Sequence, residues 1–201
     1  MNDVHARKRE LRQSILVTRS RLTEDDAWAT SPELARHALE LPELAGARTV
    51  AAYVSIGREP ATRALLDALR SEGVRVLLPV LRPDNDLDWA PYEGTDALVR
   101  AGRGLLEPTG TRQGPDAVTG ADAVLLPGLA VDERGRRLGR GGGSYDRVLA
   151  RLSAAGARPT LVVLLYDGEV LEEIPVEPHD LPVAAAVTPS GVHRFTPRPP
   201  H

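Results

Sequence analysis

The sequence predicts an α/β fold: a single domain with a mostly parallel central sheet flanked by helices, and with the N-terminal helices packed on one side. Residues 49–80 combine a continuous apolar strand, a helix and a second apolar strand, which is the βαβ unit of parallel sheets. Strand and helix patterns continue to alternate beyond this unit. A chain of 201 residues is long enough for one sheet covered on both faces.

The first helix is predicted from the spacing of its apolar residues. Residues 4–22 place four of them within a narrow sector of a helical wheel, namely Val4, Leu11, Ile15 and Leu22. We therefore expect this helix to bury one face against the domain. A second helical stretch begins at Thr23, a suitable N-cap, and Ser31 and Pro32 allow a break before a helix over 34–44.

A row of cations follows one edge of that apolar face, formed by Lys8, Arg12 and Arg19. All but one of the 25 basic residues are arginine, so the single lysine indicates a site that needs a compact ammonium group. We predict that this edge faces a ligand where the helix meets the domain. A solvated helix face is the competing interpretation.

The other elements follow from apolar runs and turn residues. Strands are predicted at 49–56, 74–80, 87–92, 123–126, 160–165 and 184–187, and helices at 60–71, 95–100 and 144–154. The stretch from Gly102 to Gly120 is rich in Gly, Pro and Thr and is predicted to be a long loop shaped over a site. The predicted domain covers 1–195, and 196–201 form a Pro-rich tail.

Composition excludes several classes of function. The net charge of -3 and the pI near 6.0 argue against a nucleic-acid coat protein and favour small anionic ligands. The chain has no cysteine, no metal-ligand spacing among its five histidines and no nucleophile motif around Ser144. It has no long apolar run and no signal-like start, so we expect a soluble, cytoplasmic monomer without membrane or nucleic-acid partners.

The segment 126–147, LPGLAVDERGRRLGRGGGSYDR, predicts a phosphate site between a strand and a helix. Its glycines allow the backbone to approach an anion, and Arg136, Arg137 and Arg140 add positive charge. Asp146 follows in the first turn of the helix, where a carboxylate can reach Mg²⁺ held by phosphates. The segment matches neither the P-loop nor the dinucleotide-binding pattern, and a flexible surface turn is the alternative.

Other candidates lie at predicted strand ends, where ligands of open α/β sheets bind. Glu59 can recognise a donor-rich heterocycle, or it can cap the following helix. Asp180 precedes the last strand and competes with Asp132 as a second metal ligand, although Asp-Leu-Pro is also an ordinary turn. Trp89 and Tyr92 can flank a planar ligand or pack in the core.

Taken together, these segments resemble the 5-formyltetrahydrofolate cyclo-ligases, also called methenyltetrahydrofolate synthetases. The resemblance covers nearly the whole chain, and the long glycine motif is specific to the family. The matching segments are KRELR at 8–12, YVSIGREPAT at 53–62, LLEP at 105–108, the glycine motif at 126–147 and HDLPVAAAVTP at 179–189.

The resemblance implies an ATP- and Mg²⁺-dependent cyclisation of 5-formyltetrahydrofolate to 5,10-methenyltetrahydrofolate, with release of ADP and phosphate. It also implies the role of each candidate residue. ATP would contact Lys8, Arg12, Arg137, Leu138, Gly139, Arg140, Gly141, Gly142, Gly143, Ser144 and Tyr145, of which Arg140 and Tyr145 would be catalytic. The folate would contact Ile56, Glu59, Trp89 and Ser144, and Mg²⁺ would be bound by Asp146 and Asp180.

The chain departs from the family at one position. The family motif usually reads GYYD, whereas this chain has Gly143, Ser144, Tyr145 and Asp146, so serine replaces an aromatic residue expected near the folate. Two other classes of function stay open. One is a non-catalytic relative that binds a folate or a nucleotide, and the other is an ATP-dependent ligase or kinase that acts on a different heterocycle.

Overall fold

A computed structural model of the protein describes residues 2–177 and 181–195. Its main element is a seven-stranded sheet. Numbered along the chain and given in spatial order, the strands are β12 (Gly191–Arg194), β11 (Ala185–Thr188), β9 (Thr160–Leu164), β6 (Ala123–Pro127), β1 (Thr49–Ala51), β2 (Arg75–Leu81) and β3 (Leu87–Pro91). Five neighbouring strands, β11 to β2 in this order, run parallel, while β12 and β3 are antiparallel edges. The prediction of a mostly parallel sheet is confirmed.

The order of the parallel strands reverses between β1 and β6. From β1 the chain continues to its neighbour β2 on one side, and it later returns to β6 on the other side before adding β9 and β11 outward. The loops that leave β1 and β6 therefore diverge at their carboxyl ends, which opens a crevice where ligands of such sheets bind.

Helices cover both faces of this sheet. The helices are α1 (Asn2–Arg19), α2 (Glu24–Ala29), α3 (Ser31–Leu39), α4 (Pro42–Ala45), α5 (Arg63–Ser71) and α6 (Ser144–Ala154). Helices α3 and α5 bury Leu34, Leu66 and Leu69 on one face of the sheet, and α6 buries Val148 and Leu152 on the other. Two separate hydrophobic clusters result, as expected for a sheet whose strands are apolar on both sides.

Helix α1 lies against a smaller sheet instead of a face of the large one. This small sheet consists of β10 (Val170–Leu171), β7 (Ala130–Asp132) and β8 (Arg137–Leu138). Ile15 of α1 packs in a third cluster with Leu129, Ala130, Leu138 and Ile174. Of the predicted apolar face only Ile15 is fully buried, whereas the cations Lys8 and Arg19 are buried as well. The predicted row of cations thus faces the domain.

Several predicted boundaries were wrong. Strand β1 ends at Ala51 instead of residue 56, and the helix predicted at 60–71 begins at Arg63. The predicted helix at 95–100 is a short 3-10 turn followed by β4 (Leu98–Arg100), because this segment pairs with β5 (Leu106–Pro108). The predicted loop at 102–120 accordingly contains β5 and a 3-10 helix at Pro115–Gly120. The predicted tail, 196–201, lies outside the described residues, and the domain limit at 195 stays a prediction.

Among the described residues, no helix has both the length and the hydropathy needed to cross a lipid bilayer.

The C-terminal end of α1 is held by a buried ion pair. Arg19 donates from Nε to Glu169 Oε1 over 2.7 Å and from Nη2 to Glu169 Oε2 over 2.8 Å, and it also bonds the carbonyl of Gly128. Both charged side chains are less than a tenth exposed. Glu169 in addition accepts a hydrogen bond from the backbone of Tyr166.

We expect Arg19→Ala to lower the free energy of unfolding by about 3–5 kcal/mol, because it leaves the Glu169 carboxylate buried without its partner. Urea denaturation measures the change. The control is Arg36→Ala, which removes the exposed Arg36–Glu33 and Arg36–Glu40 pairs and should cost about 1 kcal/mol or less. Equal losses in the free energy of unfolding for the two variants would show that the buried ion pair does not hold α1.

Candidate active site

A cavity of about 430 Å³ opens at the switch point of the large sheet. The segment after β1 contributes Tyr53, Ile56 and Glu59, and the end of β6 contributes Pro127 and Gly128. Further walls come from helix α1, from strands β2 and β3, from residues 103, 105 and 106, from residues 137–146 and from Glu177. Residues that are distant in sequence therefore meet at the edge where the topology predicts a ligand.

Residues 137–145, called the glycine loop below, form one wall and lead into α6. Arg12 of α1 donates from Nε to the carbonyl of Gly139 over 2.8 Å. Gly141 has φ of +87°, and a Cβ there would come within 3.3 Å of the Arg12 guanidinium carbon. This contact requires glycine at 141, because a side chain would both strain the backbone and displace Arg12.

Helix α1 places Lys8 in the wall of the cavity that the glycine loop also lines. Its ammonium group is buried and donates to Glu177 Oε2 over 2.7 Å. Lys8, Arg12 and Glu177 all line the cavity. Both cations therefore face the cavity where the helix meets the domain, while their predicted contact with a ligand stays a prediction.

Arg137 attaches the glycine loop to the sheet. Its Nη1 donates to the carbonyl of Pro127 over 2.9 Å, and its Nη2 lies 3.6 Å from Asp146 Oδ1. The Asp146 side chain is 63% exposed and lines the cavity from the first turn of α6. Since Mg²⁺ in nucleotide sites is held by one or two carboxylates together with phosphate oxygens and water, Asp146 suits such an ion. No cluster of three metal-binding side chains occurs within residues 2–177 and 181–195.

Glu59 is the buried acid of the cavity. Its Oε2 accepts a hydrogen bond from the backbone N–H of Ile56 over 2.9 Å, and its Oε1 lies 3.2 Å from Arg140 Nε. Burial raises the pKa of Glu59, and the Ile56 N–H and the charges of Arg140 and Arg19 offset part of this effect. The cavity thus has one carboxylate that is costly to ionise and that faces a partly exposed guanidinium.

Tyr145 and Ser144 lie at the start of α6, where both line the cavity. The Tyr145 hydroxyl is buried, and no partner for it occurs in the described part of the chain. Burial, and next the charge of Glu59, raises the pKa of Tyr145, so the hydroxyl stays protonated at neutral pH. It is therefore available as a hydrogen-bond donor to a ligand.

The structure does not bring Trp89 to this cavity, so its predicted contact with a planar ligand was wrong. Trp89 is on β3, is fully buried, and packs in the cluster beneath α6 with Leu87 and Val118. Tyr92 is likewise buried, and its hydroxyl donates to Asp67 over 2.6 Å. The packing interpretation therefore applies to both aromatic residues.

Two further predictions about the charged candidates are revised. Arg136, expected near the loop, instead pairs with Asp132 at 2.6 Å. Asp132 is fully buried and also accepts hydrogen bonds from the backbone N–H groups of Arg134 and Arg136, so neither it nor Arg136 lines the cavity. Asp180, the second predicted metal ligand, lies outside the described residues.

Sequence reasoning gave no role to eleven residues that line the cavity: Tyr53, Val54, Pro79, Leu81, Leu87, Arg103, Leu105, Leu106, Pro127, Gly128 and Glu177. Two signals were available: Pro127 and Gly128 lie within the segment 126–147 that predicted the site, and Arg103 lies in a loop predicted to be shaped over a site. The remaining residues reach the cavity through tertiary contacts.

Among residues 2–177 and 181–195, five cationic side chains and three carboxylates line the cavity, so these walls carry an excess of positive charge. A glycine-rich backbone, guanidinium groups and an ammonium group surround the same space, which is the arrangement that binds phosphate groups. The fold and the site therefore define a doubly wound α/β protein with a positively charged cavity at its switch point.

Comparisons with known proteins identify the family. The chain belongs to the 5-formyltetrahydrofolate cyclo-ligase family, whose sequence model matches residues 4–189. A 5-formyltetrahydrofolate cyclo-ligase from Mycolicibacterium smegmatis is 46% identical over 148 residues, covering 71% of this chain and 74% of the relative. The Escherichia coli cyclo-ligase is 34% identical over 176 residues, covering 87% and 96% respectively.

A solved structure supports the same assignment. The 5,10-methenyltetrahydrofolate synthetase of Aquifex aeolicus has a TM-score of 0.78 and 29% identity, with 96% of this chain and 94% of that chain covered. The family resemblance inferred from the sequence is confirmed. The chain is accordingly an enzyme of the ligase class.

The raised pKa of Glu59 links stability to pH. Because the folded state holds this proton more tightly than the unfolded state, the stabilising effect is complete below the unfolded pKa and is lost as the pH rises through the folded pKa. Glu59→Gln retains an acceptor for the Ile56 N–H and does not titrate. We expect this variant to gain stability relative to wild type as the pH rises.

Thermal melts between about pH 4 and about pH 8 measure this difference. Glu133→Gln, which removes an exposed carboxylate outside the cavity, is the matched control. A stability difference between Glu59→Gln and wild type that stays constant across this range would contradict the raised pKa.

Proposed function

We propose that this enzyme uses ATP and Mg²⁺ to cyclise 5-formyltetrahydrofolate to 5,10-methenyltetrahydrofolate, with release of ADP and phosphate. The observation that carries the proposal is a single cavity that is lined by the glycine loop, by Lys8 and by the buried Glu59. A phosphate-binding wall and a carboxylate for a donor-rich ring are what such a reaction needs within one site.

The phosphate end of the site is formed by α1 and the glycine loop. Lys8 supplies a compact ammonium group, while Arg12, Arg137 and Arg140 supply planar guanidinium groups around the backbone of the loop. Backbone N–H groups of Leu138, Gly139, Gly141, Gly142 and Gly143, together with Ser144 at the start of α6, complete this set in the proposal. Moving a phosphate group out of water is costly, and these donors replace the hydrogen bonds that water made to its oxygens.

The folate end is formed by Glu59 and Ile56. Glu59 accepts hydrogen bonds from the N–H groups of the pterin, whose paired donors match its two oxygens. Ile56 lines the cavity beside it and offers apolar contact to the ring. Because Glu59 is buried, an isostere that lacks the donors leaves its carboxylate with only the Ile56 N–H and Arg140 as partners, which makes the contact selective.

The reaction then needs positioning and charge neutralisation more than protein nucleophiles. In the proposed sequence the formyl oxygen attacks the γ-phosphorus and ADP leaves; N10 then attacks the activated carbon, and phosphate and the N10 proton depart. Arg140, which the glycine loop places 3.2 Å from Glu59, stabilises charge on the transferred phosphoryl group. Tyr145 donates its hydrogen from within the same wall.

Asp146 is the metal ligand of this proposal. Its exposed carboxylate and its position in the first turn of α6 fit an ion shared with phosphate oxygens. When bound, Mg²⁺ would neutralise charge on the phosphates. Asp180 stays the second proposed ligand on the strength of the family resemblance alone.

Because one chain supplies the groups named above, we propose that a monomer is active.

The direct test mixes purified protein with 5-formyltetrahydrofolate and MgATP and follows the absorbance of the methenyl product. We expect product only with ATP, and a fall in kcat of about a hundredfold or more in Asp146→Asn, which keeps the shape but loses the charge. Asp167→Asn, outside the cavity, is the matched control. MgATP binding without product in the wild-type protein would favour a binding-only relative, which the Ser144 departure supports, or a ligase for another heterocycle.

Lys8→Ala separates the two ends of the site. Loss of a charge-assisted contact to phosphate should raise the KM for ATP by about tenfold to a hundredfold, with little change in the KM for the folate. Arg9→Ala is the matched control, because Arg9 is exposed on the same helix and should change either KM by less than about twofold. Equal increases in both KM values for Lys8→Ala would refute its assignment to phosphate.

A further inference from the structure

Glu177 is a carboxylate in the wall of the cavity that Lys8 and the glycine loop also line. Within residues 2–177 and 181–195, the other carboxylates of this cavity are Glu59 and Asp146, whose proposed ligands are a pterin ring and Mg²⁺. The proposed reaction gives Glu177 no ligand to bind. Because a carboxylate repels phosphate, an acid in this wall weakens anion binding unless it serves a cation beside it.

Glu177 forms an ion pair with Lys8. The Lys8 ammonium donates to Glu177 Oε2 over 2.7 Å, which is the short end of the range for charge-assisted hydrogen bonds. The Lys8 side chain is only 7% exposed, so the pair is largely removed from water. Lysine carries its charge on a long, flexible chain that has many rotamers. The contact with Glu177 therefore selects one position for the ammonium group out of those that the side chain can reach.

The segment that leads to Glu177 is packed against the domain. Ile174 is buried and lies in the third hydrophobic cluster together with Ile15 of helix α1. Its backbone N–H donates to Asp132 Oδ2 over 3.4 Å, and Val176 packs against the same cluster. The Glu177 carboxylate is therefore placed by the domain, one residue beyond this packed stretch, and it supplies a fixed point for the Lys8 side chain.

Two other contacts attach helix α1 to the domain. They are the buried ion pair of Arg19 and the hydrogen bond from Arg12 to the glycine loop. His5 also lies near Glu177, with its Nε2 3.5 Å from Oε1, but the His5 side chain is 67% exposed. An exposed contact of this kind contributes little stability. What Glu177 adds to these attachments is the position of the Lys8 ammonium.

We propose that Glu177 is a positioning residue for ATP: it holds the Lys8 ammonium in the cavity wall, so that this group is ordered before a phosphate binds. This inference rests on the part of the proposed function that assigns ATP phosphates to Lys8. Ordering a long side chain when a ligand binds costs free energy, and a side chain that is already ordered avoids that cost. Glu177 thereby strengthens ATP binding although its own charge repels phosphate.

The first test measures the Kd for the Mg²⁺ complex of a non-hydrolysable ATP analogue by calorimetry. We expect Glu177→Ala to raise this Kd by about threefold to tenfold, which is the effect of ordering one long side chain on binding. Glu172→Ala is the matched control, because Glu172 is exposed in the same segment and lies outside the cavity. It should leave the Kd unchanged.

Conservative variants of Glu177 separate reach from charge. Glu177→Gln keeps the length of the side chain and an acceptor oxygen, so its Kd should stay within about twofold of the wild-type value. Glu177→Asp keeps the charge on a shorter side chain, which withdraws the oxygen from its 2.7 Å contact with Lys8. We expect Glu177→Asp to lose about as much affinity as Glu177→Ala.

A double-mutant cycle tests whether Glu177 acts through Lys8. Lys8→Ala removes the group that Glu177 holds, so adding Glu177→Ala to it should change the Kd by less than about twofold. Urea denaturation of each variant shows whether it folds. A purely structural role for Glu177 would weaken binding of the analogue in both backgrounds.

Several outcomes would overturn the inference. They are an unchanged or lower Kd in Glu177→Ala, retention of affinity by Glu177→Asp with loss in Glu177→Gln, and an equal effect of Glu177→Ala in the Lys8→Ala background. A wild-type protein that does not bind the analogue overturns it as well. Should Glu177→Ala not fold, the comparison of Glu177→Gln with Glu177→Asp decides.

The proposed function is tested separately, by formation of the methenyl product. Binding of the analogue that follows the cycle, without product from folate and MgATP, supports the role of Glu177 and refutes the proposed function. Product formation together with an unchanged Kd in Glu177→Ala supports the proposed function and overturns the role of Glu177.

Discussion

The position of helix α1 depends on the buried contact between Arg19, Glu169 and the carbonyl of Gly128. The helix buries little apolar surface, since only Ile15 of its predicted apolar face is fully enclosed. A fully desolvated ion pair contributes little net stability, but its geometry is strict because any displacement leaves a charge without its partner. Placing Arg19 at the end of β6 fixes the direction of the helix, and Lys8 and Arg12 reach the glycine loop as a consequence.

Features that depend on a repeating pattern could be predicted from the sequence. The apolar strands of the parallel sheet and helix α6 follow from period and length alone. Strands β7, β8 and β10 have two or three residues each, too few to show a period, and they form because the chain folds back beneath α1. Lysine and arginine are usually exposed, so the burial of Lys8 and Arg19 could not be predicted from their residue types. A helical wheel that ranks residues by hydropathy places both cations at the edge of the buried face instead of within it.

In the site too, features encoded by a local sequence pattern could be predicted, whereas those that depend on tertiary contacts could not. The glycine loop could be recognised because its groups are contiguous in sequence, so their meeting requires no knowledge of the fold. Glu59 could be placed at a strand end, but its burial and its contact with Arg140 depend on two loops converging. Trp89 was assigned to the ligand by residue type, whereas its register on β3 directs it into the core beneath α6. Residue type suggests a chemistry; only the register decides whether a side chain reaches the cavity.

Serine at position 144 affects the two ends of the site differently. The contacts that hold the glycine loop are hydrogen bonds from cationic side chains to backbone carbonyls. Arg12 donates to the carbonyl of Gly139, and Arg137 donates to the carbonyl of Pro127. None of these contacts uses the side chain at 144, so replacing an aromatic residue leaves that wall intact. At the proposed folate end, serine offers no ring for stacking, so it gives less dispersion and less contact area with a heterocycle than an aromatic residue would. We therefore expect selection of the proposed folate to depend more on the polar contacts of the buried Glu59 than on stacking.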